Sequence, residues 1–147
     1  MNKGFKYTQS LFRLFVIFMF VMISTMLVVL GANVYGSISQ TMDNNAVIRT
    51  ASGYITNKNR EYGSRLYVED KMLIVENEYE GEKYLSRIYH DEGFLKESFL
   101  PEDYEFDPQS GEMITVLDGF DIIEKNGFIE ITMTQGQNTV KKRIGEV

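Results

Sequence analysis

The sequence predicts an α+β chain in which a long N-terminal transmembrane helix extends into an amphipathic helix packed on an antiparallel β-meander. Three observations carry this. Residues 14–30, LFVIFMFVMISTMLVVL, form a run of seventeen positions without a charge. Val34, Ile38, Met42 and Ile48 then recur at roughly helical spacing, and Ile55 falls on the same drifting stripe. Beyond Gly63, apolar and polar residues alternate in short segments separated by turn dipeptides.

With Leu11 and Phe12 before it and residues 31–34 after it, the uncharged run covers the ~30 Å of membrane hydrocarbon at 1.5 Å per residue. Arg13 sits near the end, where its long side chain can snorkel to the headgroups. A soluble chain this short could not bury such a helix on all sides. The run also exceeds the ~7–15 apolar residues of a secretory signal, and residues 29–33 lack a small-x-small cleavage site, so an uncleaved anchor is expected. Lys3, Lys6 and Arg13 precede the span and no acidic residue does. The expected orientation is N-terminus cytoplasmic, C-terminal domain extracellular.

The expected organisation is a basic segment at 1–10, a transmembrane helix at 11–34, an amphipathic extension at 35–62 and a β domain at 63–147. No proline interrupts the chain before Pro101. A helix from about Leu11 to Arg60 would be ~75 Å long, with Gly31, Gly36 and Gly53 marking possible bends.

In the β domain, an Asp70-Lys71 loop would pair Val68 with Leu73 and Leu66 with Val75 on one face. Asn126-Gly127 is the stronger hairpin signal, because both loop positions of such a turn need positive φ. It would pair Phe120 with Met133, Ile122 with Ile131 and Glu124 with Ile129. Residues 84–90 and 94–100 would pair around 91–93, residues 101–111 would form a loop, and 113–117 a short strand. Residues 139–144 would add an edge strand whose Lys141, Lys142 and Arg143 discourage edge-to-edge aggregation. The sum is about six or seven strands with one apolar face, which the outer half of the helix would cover.

The 21 acidic residues all lie at Asp43 or beyond, where 12 basic residues accompany them, a formal charge of −9. A domain that acidic repels phosphate backbones, so no nucleic-acid partner is expected. Cysteine is absent, which excludes a disulfide framework, a thiolate metal site and a Cys nucleophile. His90 is the only histidine, and its setting reads as a solvated turn rather than a triad member. The acidic stretch 103–107 fails the EF-hand pattern, because Pro108 and Ile114 occupy the glycine and bidentate glutamate positions. It reads as a solvated loop, with a hard-cation site as the alternative. Tyr62, Tyr67, Tyr79, Tyr84, Tyr89 and Tyr104 either line a binding face or fill strands, where rings pack well. No catalytic constellation, metal site, cofactor or small-molecule substrate emerges.

Lys3-Gly4-Phe5 resembles the leader junction of the type IV pilin and pseudopilin superfamily, with Gln9 at the position that family fills with glutamate. The layout, a basic leader and a half-embedded helix carrying an antiparallel sheet, is also similar to that superfamily. The resemblance implies a prepilin-peptidase junction at Gly4, Phe5 and Gln9, and assembly with other pilin-like subunits through the helix stripe Val34, Ile38 and Met42. Gln9 offers only a hydrogen bond where the glutamate would offer charge, which implies a low-copy tip or initiator subunit. Residues 31–35 (GANVY), residues 49–55 (RTASGYI) with Lys58 and Arg60, and 89–99 with its DEGFLKE core resemble a further family. That family comprises single-pass clostridial proteins associated with type IV pilus or competence-type secretion genes.

The expected function is therefore a minor pilin- or pseudopilin-like structural subunit of a bacterial pilus, competence or type II-like secretion machine, with the lipid bilayer and sister subunits as partners. The alternative is a membrane-tethered extracellular binding or sensor module. An enzyme is the least favoured reading.

Overall fold

A computed structural model describes residues 3–60 and 65–145, with side chains from Tyr7 onward. The chain divides into two compact units, Met1–Thr41 and Met42–Val147, and helix α1 (Lys3–Asn59) contributes to both. The helix begins eight residues before the expected Leu11, because nothing between Lys3 and Leu11 breaks it. The expected boundary between helix and β domain, at 62–63, lies outside the described residues, as does Tyr62.

Within the first unit, the side chains of the uncharged run are exposed almost throughout. Thr25 interrupts the run without leaving an unsatisfied hydroxyl, since its Oγ1 donates to the Val21 carbonyl at 2.8 Å. Thr41, Thr50 and Thr56 make the same bond one turn back, to Ser37, Ala46 and Ser52.

Among its described residues, the second unit holds eight strands in two antiparallel sheets. The first sheet is a meander of β1 (Arg65–Glu69), β2 (Met72–Tyr79), β3 (Glu82–Asp91), β4 (Phe94–Pro101) and β5 (Glu112–Val116). The second comprises β6 (Gly119–Lys125), β7 (Phe128–Gln135) and β8 (Asn138–Gly145). Both expected hairpin registers are present: Val68 opposes Leu73 and Leu66 opposes Val75, while Phe120, Ile122 and Glu124 oppose Met133, Ile131 and Ile129. Their loops have positive φ at both positions, 48° and 63° at Asp70 and Lys71, 47° and 81° at Asn126 and Gly127. That geometry matches the strand twist.

The expected single meander of six or seven strands is corrected to two sheets, and the break lies at Leu117-Asp118. The Leu117 amide donates to the Gly93 carbonyl at 2.9 Å, still within reach of the first sheet. One residue later, the Asp118 amide donates to Thr134 of the second sheet at 3.1 Å. Leu117 itself is fully buried where the two sheets meet the core.

That core is closed by the outer part of α1. Ala51 and Ile55 are fully buried against Leu66, Leu73, Val75, Ile88 and Leu95 of the first sheet and Ile129, Ile131, Met133 and Ile144 of the second. Each large aliphatic side chain so placed contributes ~1.5–3 kcal/mol. Val47, Ile48, Ala51, Tyr54, Ile55 and Lys58 fall at helical three- and four-residue intervals, which turns one face of α1 onto the strands.

The first sheet is apolar on both faces, not one. Ile74, Leu85 and Tyr89 are buried on the side opposite the helix. The 101–111 segment folds back over that side. The Tyr89 hydroxyl donates to the Pro108 carbonyl at 2.7 Å, and the Phe106 ring stands edge-on to the Tyr89 ring at 5.0 Å. Arg87 lies over the Phe106 ring at 5.6 Å. Gly111 is required beneath this strap, because a Cβ there would lie 2.0 Å from the Tyr89 hydroxyl oxygen. Asp103, Tyr104, Glu105 and Asp107 face solvent, so the acidic stretch is a solvated loop held down by its one half-buried aromatic, Phe106.

Candidate functional site

One helix among the described residues, α1, is long and apolar enough to cross a membrane, and its most apolar stretch has no buried residue. The chain is a single-pass membrane protein whose span is followed by a β domain. Gly4 and Phe5 belong to the helical backbone of α1, and the side chain of Phe5 lies outside the described residues. Gln9 is exposed.

The helix stripe expected from the sequence divides in two. Val34, Ile38 and Met42 are 59%, 54% and 67% exposed, whereas Ile48 and Ile55 are 4% and 0% exposed. The latter pair therefore holds the β domain to α1, and the first three remain open to another surface. Asn44 and Asn45 mark the transition: the Asn138 amide donates to Asn45 at 3.1 Å, and Gly136 packs so closely on Asn44 that a Cβ there would be 2.4 Å from its amide nitrogen.

Two polar contacts fasten the helix end to the sheets. Lys58 in the last turn of α1 places its ammonium 2.9 Å from the Glu97 carboxylate on β4, with both side chains largely buried. The Tyr54 hydroxyl donates to the other oxygen of Glu97, and Lys58 lies 5.8 Å from the centre of the Tyr54 ring. From the second sheet, Lys142 donates to the Ser52 carbonyl at 3.0 Å, to the Ser52 hydroxyl at 3.1 Å and to the Thr56 hydroxyl. Burial, aided by the nearby charge of Arg60, pulls the Lys142 ammonium below its ordinary pKa. This corrects the edge-strand reading of Lys142. Strand alternation sends only Lys141 and Arg143 to the outer face, where they meet Glu130 at 3.8 Å and 3.2 Å.

His90 is likewise corrected from a solvated turn residue to a half-buried strand residue. It pairs with Leu95 across β3 and β4, and its Nε2 donates to the Leu117 carbonyl at 2.6 Å. The ring thus pins the connection between the two sheets. A groove of about 440 Å³ runs between the Asp70-Lys71 turn, the 89–91 end of β3, Phe106 and Phe120. Its Asp91 carboxylate is engaged by Lys96 at 2.7 Å, which raises the Lys96 pKa. Among the described residues, no three histidines or carboxylates converge as a metal site would require.

Sequence reasoning missed three features: the Tyr54–Lys58–Glu97 junction, the docking of Lys142 and a ring cluster of Tyr79, Tyr84 and Phe99. The rings lie at 5.3–6.5 Å from one another at the far end of the first sheet. The glycine of Glu80-Gly81, the loop between β2 and β3 with φ of 53° and 86°, was the signal that could have aligned Tyr79 with its partners.

No curated protein and no solved structure matches this chain. A family described as a domain of unknown function (DUF4860) matches residues 46–136. The match starts on the outer part of α1, two residues before Ile48, and ends at the turn between β7 and β8. The helical cover and strands β1 to β7 fall within the match, while β8, which adds Ile144 to the same core, follows it. The chain therefore belongs to the DUF4860 family of domains of unknown function.

Proposed function

We propose that this protein is a minor pilin- or pseudopilin-like structural subunit of a bacterial type IV pilus, competence or type II-like secretion machine, with its N-terminus cytoplasmic and its β domain extracellular. The observation that carries the reading is the division of labour along α1. Its first part presents apolar side chains outward over the length of a bilayer, and its outer part is built into the β-domain core through Ile48, Ala51 and Ile55. A helix with an apolar, exposed surface suits either lipid or the sides of sister helices, which is the exchange a filament subunit undergoes. Val34, Ile38 and Met42 supply the surface for sister helices, and Lys3, Lys6 and Arg13 hold the N-terminus inside.

Gln9 carries no charge to pair with a buried N-terminal amine, so repeated stacking is disfavoured and a single position at a tip is favoured. Prepilin-type processing after Gly4 belongs to the same reading, and the role is structural rather than catalytic. Two measurements on native membranes test it. Protease added to wall-stripped cells is expected to digest the β domain and spare the membrane fragment, and mass spectrometry is expected to find a mature terminus at Phe5. A β domain protected until lysis would contradict the orientation. An intact Met1 would contradict the processing.

A membrane-tethered binding module is the second reading. It is favoured by the exposure of Tyr79 and Phe99 at one end of the first sheet.

A further inference from the structure

The β2–β3 hairpin ends in an arrangement that the pilin-like reading does not use. Tyr79, Tyr84 and Phe99 come from three successive strands and share the face that carries the helix-packed core. Tyr84 and Phe99 stack with ring centres 5.3 Å apart and 17° between their planes. Tyr79 stands edge-on to both, at 5.9 Å and 6.5 Å. Tyr79 and Phe99 nevertheless remain 55% and 48% exposed. Rings that pack on one another while staying open to water form a platform rather than a core.

The rim of this platform is acidic. Glu80 and Glu82 are exposed beside the rings, whereas Glu78 opposes Lys83 on the other face of the sheet. The Tyr84 hydroxyl donates to Glu82 at 3.4 Å. The hairpin's own cation, Lys83, is engaged elsewhere, 2.8 Å from Glu76, which raises its pKa. A shallow groove of about 290 Å³ lies between Tyr79 and Tyr84 and is flanked by Glu80 and Glu82.

The platform already accepts a cation of its own chain. Lys58, beyond its contact with Glu97, lies 6.0 Å from the centre of the Phe99 ring. On the Tyr79 side, an equivalent approach is open to a ligand from outside. Aromatic faces attract cations through the ring quadrupole, and carboxylates beside them add charge selection. A lysine or arginine side chain suits both parts, because its methylene stem packs on rings while its charged head reaches a carboxylate. Anionic surfaces are repelled by the same rim.

We propose that the Tyr79–Tyr84–Phe99 platform, with Glu80 and Glu82, is a docking surface for a lysine- or arginine-bearing peptide segment of a partner protein. The platform lies wholly on the β domain and stands independently of the pilin-like reading. The test uses the full chain in nanodiscs of zwitterionic lipid, titrated with an acetylated hexapeptide of alternating lysine and glycine. Saturable binding is expected, with none for the glutamate-for-lysine peptide. Tyr79→Ala, and separately Glu80→Gln with Glu82→Gln, are expected to weaken it by about fivefold, in line with an exposed cation–aromatic contact. Tyr104→Ala, removing a 64% exposed tyrosine from the acidic loop, is expected to leave it unchanged. Circular dichroism of each variant separates lost binding from lost folding. Undiminished binding by a folded Tyr79→Ala protein would reduce the effect to general attraction by an acidic domain and overturn the proposal. Absence of saturable binding would overturn it too, as would self-association of the chain through this surface in place of peptide binding.

Discussion

Lys58 and Glu97 meet at 2.9 Å with 18% and 13% of their side chains exposed, so an ion pair largely removed from water ties the last turn of α1 to β4. Breaking such a pair from one side leaves a charge without compensation. Lys58→Met is expected to cost ~2 kcal/mol, since some water still reaches the pair. Adding Glu97→Gln, which keeps an acceptor for Tyr54, is expected to return part of that loss. Chemical denaturation of the detergent-solubilised chain measures both, and strictly additive losses would show that the two side chains do not act as a pair.

The strap over the outer face makes a second prediction. Gly111→Ala sets a methyl group against the Tyr89 hydroxyl and the Glu97 backbone. Overpacking of this kind costs ~1–3 kcal/mol. The ring must shift, losing its bond to Pro108, and the 101–111 segment should become a site of early proteolytic cleavage. Unchanged cleavage kinetics would contradict the role given to Gly111.

Hairpin register was legible because it is written locally. Asn126-Gly127 and Asp70-Lys71 fix their loops by backbone preference, and alternation then assigns Ile122, Ile131, Leu66 and Val75 to one face. The helical cover was legible through Ile48 and Ile55 for the same reason. The split at Leu117-Asp118, the strap and the inward turn of Lys142 were not, because each depends on partners far away in sequence. Lys141-Lys142-Arg143 reads as one charged run, and only the presence of α1 on one side and Glu130 on the other separates its members. Among the site residues, the exposed Val34, Ile38 and Met42 follow from helical spacing, and Tyr79 and Tyr84 were legible as binding-face candidates, whereas their cluster with Phe99 depends on pairing across three strands.

Core and surface positions on the second sheet should differ sharply. Ile131 is fully buried and Ile123 is 45% exposed, although both are isoleucines on adjacent strands. Ile131→Ala is expected to cost ~2–5 kcal/mol and Ile123→Ala under ~1 kcal/mol in denaturant unfolding. Equal losses would refute the assignment of faces.

Acid should loosen the β7–β8 pair. The Arg143 guanidinium beside Glu130 holds its carboxyl below the ordinary 4.5, against the opposing effect of burial. A carboxyl depressed in the folded state contributes stability that is present above its unfolded pKa and lost as pH falls through the folded one. The melting temperature of the wild-type chain should therefore fall more steeply below pH ~4.5 than that of Glu130→Gln. Parallel acid slopes would show that the pair contributes nothing to folding.

The pilin-like assignment rests on α1 meeting sister helices through its open stripe. A photo-crosslinking amino acid placed at Ile38, which is 54% exposed, reads that contact in native membranes. The expected result is a crosslink to another pilin-like subunit, identified by mass spectrometry and lost when the probe is moved to Ile55, which the β domain fully buries. Crosslinks from Ile38 to lipid alone, in cells assembling the machine, would contradict the assignment and leave a tethered binding domain in its place.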